Sequence, residues 1–65
     1  MSQTITLRDD RLQVIGFVEI ADNGDKTLRN ESLQVVGYYD ATADITRDER
    51  LQVVGYGDIL TTLLR

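Results

Sequence analysis

The 65-residue chain contains no cysteine and no histidine. Disulfide staples are therefore excluded, and so are zinc sites of the usual Cys and His kind. Thiol nucleophiles and histidine-dependent triads cannot be assembled either. Basic residues are also few: seven Lys and Arg against eleven Asp and Glu leave a net charge of −4. A surface of that sign disfavours nucleic acid and anionic lipid, both of which are met by a basic face. No apolar run approaches the roughly 20 residues a membrane-spanning helix needs. The opening Met1-Ser2-Gln3-Thr4-Ile5 has neither the basic nor the apolar region of a secretory signal, so a cytoplasmic location is expected. Lack of cysteine fits a reducing compartment.

What is present is repetition. The segments Leu12-Gln13-Val14-Ile15-Gly16-Phe17, Leu33-Gln34-Val35-Val36-Gly37-Tyr38 and Leu51-Gln52-Val53-Val54-Gly55-Tyr56 are near-copies. Each follows an arginine four residues upstream (Arg8, Arg29, Arg47) and precedes an acid (Glu19, Asp40, Asp58). Internal repetition on this scale determines architecture before individual residues are considered. It also weighs against catalysis, because three similar sites replace one specialised one.

The repeats span 5–20, 26–41 and 44–59 of a single domain, 1–65. The second half of each is β-branched, aromatic and free of proline, which favours strand over helix. The first halves (Thr4-Ile5-Thr6-Leu7-Arg8, Lys26-Thr27-Leu28-Arg29, Asp44-Ile45-Thr46-Arg47) alternate polar and apolar at period two. Between the halves lie Asp9-Asp10-Arg11, Asn30-Glu31-Ser32 and Asp48-Glu49-Arg50, short polar turns led by Asp or Asn. Each unit reads as a β-hairpin, giving a mainly β fold of six antiparallel strands in a curled sheet or part-barrel. Ala21-Asp22-Asn23-Gly24-Asp25 is a turn with an Asn-Gly pair, and Thr42-Ala43 is a shorter link.

Strict period two places Leu12, Val14, Gly16 and Val18 on one face and Gln13, Ile15, Phe17 and Glu19 on the other. Both faces are then partly apolar, unlike a sheet with one solvated side. The recurrent glycine either bends each strand at a bulge or admits the close approach of a ligand or helix backbone. After Asp58, which suits an N-cap, Ile59, Leu60, Leu63 and Leu64 fall on one side of a short apolar helix, 58–65, with Arg65 at its C-terminal end. Eight residues do not hold a helix alone, so the segment is expected to pack on the sheet or on another subunit.

The unit Arg-Asp-x-x-Leu-Gln-Val-Val-Gly-Tyr, followed by Gly57-Asp58 and an apolar tail, resembles the bacterial β-flower repeat proteins. The resemblance implies small symmetric assemblies of hairpin petals with a likeness to the tubby C-terminal barrel, and it implies no activity. Where that pattern has a glycine in the petal turn, this chain has Leu12, Leu33 and Leu51. Leucine is strained in a left-handed turn, so a different turn geometry is expected here, with the leucines forming an apolar ring in a core or an interface.

Six strands are too few to enclose a helix. Association is therefore expected, as a homodimer or higher cyclic oligomer, through Leu12, Leu33, Leu51, Ile59, Leu60, Leu63 and Leu64. The expected function is a non-enzymatic, self-assembling structural or protein-interaction module. The alternative is a small-ligand binder, for an anion or carbohydrate, with a symmetric site of Arg8, Arg29, Arg47, Gln13, Gln34, Gln52, Tyr38 and Tyr56. The arginines would pair with Glu19, Asp40 and Asp58 or converge on an anion. The aromatics would pack between petals or form a sugar platform. Asp22-Asn23-Gly24-Asp25 lacks the spaced ligands and bidentate Glu of a calcium loop, and no metal or cofactor is expected.

Overall fold

The computed structural model describes residues 2–64. Six strands, β1 (Gln3–Arg8), β2 (Val14–Ile20), β3 (Lys26–Asn30), β4 (Val35–Asp40), β5 (Ile45–Asp48) and β6 (Val53–Tyr56), form one antiparallel sheet in chain order. The sheet is an open meander with β1 and β6 at its edges. The expected hairpin repeats are all present.

The three hairpin turns share one construction. Asp9, Asn30 and Asp48 each accept two backbone N–H bonds on the side-chain oxygen, from the residues two and four positions later. Their carbonyls accept from the N–H of Leu12, Leu33 and Leu51. Each loop is thus a turn closed by one left-handed residue, a position that glycine normally occupies. Here it is leucine, with φ of 63° at Leu12 and 65° at Leu33 and Leu51. The expectation of a different turn is therefore corrected: the geometry is kept and the leucines carry the strain, held by the Asx cap. In the first link the same role falls to Gly24 (φ 93°), and in the second to Asp44 (φ 56°).

Strict alternation also fails, for a single reason. Leu7 lies opposite Gly16 but Arg8 lies opposite Val14, so Ile15 is an extra residue. Val36 and Val54 are extra in the same way in the other two hairpins. These β-bulges shift the parity by one residue. Val14 joins Arg8 on one face while Gly16 and Val18 join Leu7 on the other, and β2 starts at Val14 rather than Leu12.

One face carries Leu7, Gly16, Val18, Leu28, Gly37, Tyr39, Thr46 and Gly55, and the C-terminal segment folds back over it. That segment is a 3-10 turn, Leu60–Leu63, not the longer helix expected over 58–65. Ile59 takes the cap position without a side-chain bond of its own, while Asp58, one residue earlier than a cap, accepts from the Leu60 N–H at 3.4 Å; Arg65 lies outside the described residues. The apolar side chains do face the sheet. Leu60 is buried with Val18 and Leu28, and Leu63 and Leu64 pack against that cluster.

Candidate functional site

The glycines are the seats of this tail. A methyl on Gly16 would lie 2.8 Å from Leu64 Cδ1 and 2.5 Å from the Arg29 carbonyl oxygen. On Gly37 it would meet Leu63, Leu60 and the Arg47 carbonyl oxygen, and on Gly55 it would meet only Ile59. Of the two readings of the repeated glycine, the bulge is present beside each one, while what approaches closely is neither a ligand nor a helix backbone but apolar side chains of the tail. Each seat lacks a Cβ because any side chain would occupy space the tail fills.

The tail is also anchored by polar groups. Thr46, fully buried, donates its hydroxyl to the Gly57 carbonyl at 2.7 Å and accepts from the Ile59 N–H at 3.3 Å. Lys26 Nζ pairs with Asp58 at 2.5 Å and sits 5.7 Å from the centre of the Tyr39 ring. Sequence reasoning missed both anchors. The signal for Thr46 was the break in the repeat column Leu7, Leu28, Thr46, where a hydroxyl replaces an aliphatic.

The opposite face carries a ladder of charge and aromatic rings. Phe17 lies opposite Arg29 across β2 and β3, and Tyr38 lies opposite Arg47 across β4 and β5. Arg29 reaches diagonally to Glu19 at 3.0 Å and Arg47 to Asp40 at 3.5 Å. These pairs are partly exposed, and such pairs contribute about 0–1 kcal/mol each. The Ala43 and Thr42 N–H groups and the Arg47 guanidinium hold the Asp40 carboxyl below its usual range. Leu33 lines a shallow cavity with Phe17, Arg29, Glu19 and Thr4, which places the turn leucine and the aromatic of the preceding hairpin around one depression.

The third member of each column behaves differently. Arg8 and Tyr56 are exposed on the edge strands, whereas Arg29, Arg47, Phe17 and Tyr38 are half-buried. Asp58 does not follow Glu19 and Asp40, because Gly57 is left-handed (φ 77°) and the carboxylate goes to Lys26 instead. Gln13, Gln34 and Gln52 sit in the exposed turns, where their backbone closes each loop. The Gln34 side chain accepts from Asn30, and the aromatics lie farther along the strands, on the ladder.

Eight large apolar residues are exposed: Ile5, Leu12, Val14, Leu33, Leu51, Val53, Val54 and Tyr56. Among the described residues only three are buried, and of the exposed eight only Leu33 belongs to the middle hairpin. Leu12, Leu33 and Leu51 thus lie on the surface and not in the core. Among the described residues no cluster of His, Cys, Asp and Glu could hold a metal ion, and no helix is long and apolar enough to cross a membrane. Comparison with family models, with curated proteins and with solved structures finds no match.

Proposed function

We propose that this chain is a non-enzymatic, self-assembling module, a β-flower-like set of hairpin petals that associates with copies of itself. The observation that carries this reading is the imbalance of apolar surface: among the described residues eight large apolar side chains are exposed against three buried, with seven of the eight on the first and third hairpins. The two groups lie toward opposite edges of the open sheet, and apolar surface left uncovered at an edge favours an interaction there. A sheet of this length with so small a core also has little stability of its own to draw on.

The competing reading is a binder of anions or sugars at the repeated arginines and tyrosines. Arg29 and Arg47 are already neutralised by Glu19 and Asp40, so a free anion would have to displace a bound carboxylate. This favours assembly. Thermal melting separates the two: association coupled to folding makes the midpoint rise with protein concentration, as any partner that binds only the folded state does. The expected result is such a rise, with no shift from phosphate, citrate or a panel of monosaccharides. A concentration-independent midpoint that climbs with one of these ligands would reverse the assignment.

A further inference from the structure

We infer that the partner is docked edge to edge: β6 of one copy pairs antiparallel with β1 of the next, with Tyr56 opposite Arg8. The inference rests on the self-assembly reading and supplies its interface.

The joint is already present twice inside the chain. Where β2 meets β3, Phe17 stands opposite Arg29, and where β4 meets β5, Tyr38 stands opposite Arg47. Around the first of these joints, Leu33, Phe17 and Arg29 line one shallow cavity. In both, the glycine before the aromatic abuts the arginine's carbonyl, Gly16 that of Arg29 and Gly37 that of Arg47.

A third joint is present in two separated halves. β6 ends with Gly55 and Tyr56, the glycine and aromatic half. β1 ends with Arg8, and Leu12 follows in the turn, which is the arginine and leucine half. Both halves are bare. Tyr56 and Leu12 are each 78% exposed, the most of any large apolar residue described, while Leu33 and Leu51, which sit at completed joints, are 64% and 63% exposed. A methyl on Gly55 would meet no following carbonyl, because no strand pairs with the outer side of β6 among the described residues.

Continuing the internal register puts Gly55 opposite Asp9 and Tyr56 opposite Arg8. Val53–Tyr56 carries no proline, lysine or inward-pointing charge, the side-chain devices that usually protect an edge strand. Its two remaining protections are its length of four residues and the bulge at Val54, and the same bulge in β2 and β4 does not prevent those strands from pairing on both sides. One element differs from the internal joints: Asp58 is held by Lys26, so this joint rests on backbone pairing and on Leu12 against Tyr56 more than on an ion pair. The contact is head-to-tail, so each copy offers one edge to its predecessor and the other to its successor.

Because the chain has no cysteine, two introduced thiols would be unique. Directly opposed residues in an antiparallel pair have Cα atoms about 4.5–5.5 Å apart, within disulfide reach. Chains carrying Arg8→Cys and Tyr56→Cys are prepared separately, mixed in equal amounts and oxidised. The expected product is a disulfide between the two different chains, in at least tenfold excess over the self-linked product of either. Self-linked dimers without the mixed product would overturn the joint, and so would a monomeric disulfide in the double variant, which would mean that the chain closes on itself. Leu12→Asp is expected to weaken association at least tenfold while the strand signal in circular dichroism is kept. Leu33→Asp, the same change at an internal joint, should leave the mass of the assembly unchanged; equal effects would also overturn the joint. If the unaltered chain is monomeric, the self-assembly reading itself fails. If it is oligomeric but gives no mixed disulfide, only this interface fails.

Discussion

The glycine seats allow a graded test in which one substitution, Gly→Ala, has different outcomes at equivalent repeat positions. In a neutral setting the change stabilises by about 0.4–1 kcal/mol, because the unfolded chain loses freedom. At Gly37 the new methyl would lie 2.7 Å from the Arg47 carbonyl oxygen and close against Leu63. At Gly16 it would lie 2.5 Å from the Arg29 carbonyl oxygen. Those carbonyls belong to neighbouring strands and cannot move without opening the ladder. Overpacking of this kind costs about 1–3 kcal/mol, and with both a backbone and a tail contact the upper half of that range is expected. At Gly55 the methyl would meet only the side chain of Ile59, which can rotate away, so the net change should lie within about 1 kcal/mol of zero. Urea unfolding at the lowest workable protein concentration reads the series. With a slope of about 1 kcal/mol per molar, Gly16→Ala and Gly37→Ala should move the midpoint down by about 2 M, and Gly55→Ala by under 1 M. Three equal losses, or the largest loss at Gly55, would refute the reasoning from the following strand.

Leu60→Ala empties the centre of a three-residue core and should cost about 2–5 kcal/mol, enough to leave much of the chain unfolded, read by circular dichroism and urea titration. Leu51→Gly relieves a left-handed leucine, which costs about 1–2 kcal/mol, against a glycine entropy loss of about 0.5–1 kcal/mol, so a small gain in the urea midpoint is expected. The Tyr39 hydroxyl donates to Asp44, and that bond together with burial and the nearby acids raises its pKa from the ordinary 10.0 to about 12. The neutral phenol is thus the form the fold prefers, so its contribution is complete below pH 10 and lost as pH rises from 10 to about 12. Asp44→Asn should bring the Tyr39 titration back toward 10, followed by phenolate absorbance; an unchanged titration would rule out that hydrogen bond.

Much of the fold was legible because its local signals agree. Asp9, Asn30 and Asp48 at fixed offsets from a repeated Val-Gly run mark three turns, and β-branched residues mark the strands between them. Three features were not legible, each for a physical reason. The parity shift was one: the recurrent glycine pointed to a bulge, but the extra residue is the one before it, Ile15, Val36 or Val54, and period-two counting cannot register a residue that has no partner. The left-handed leucines contradict residue preference, because the Asx cap outweighs it. The tail shortened to a 3-10 turn because its shape follows the spacing of the glycine seats and the Thr46 anchor, which are tertiary contacts. The pairing of arginine with acid was visible in the sequence for Arg29 and Arg47. The departure of Asp58 followed from Gly57, whose column differs in all three repeats (Val18, Tyr39, Gly57).

On the proposed self-assembly, a single chain leaves its edges and much of its apolar surface uncovered until copies join. The most direct test is the molar mass in solution by light scattering across a hundredfold range of concentration. Self-assembly requires a mass that is a multiple of 7.3 kDa at micromolar concentration, falling toward 7.3 kDa on dilution. A constant 7.3 kDa for a chain with full strand content would contradict it.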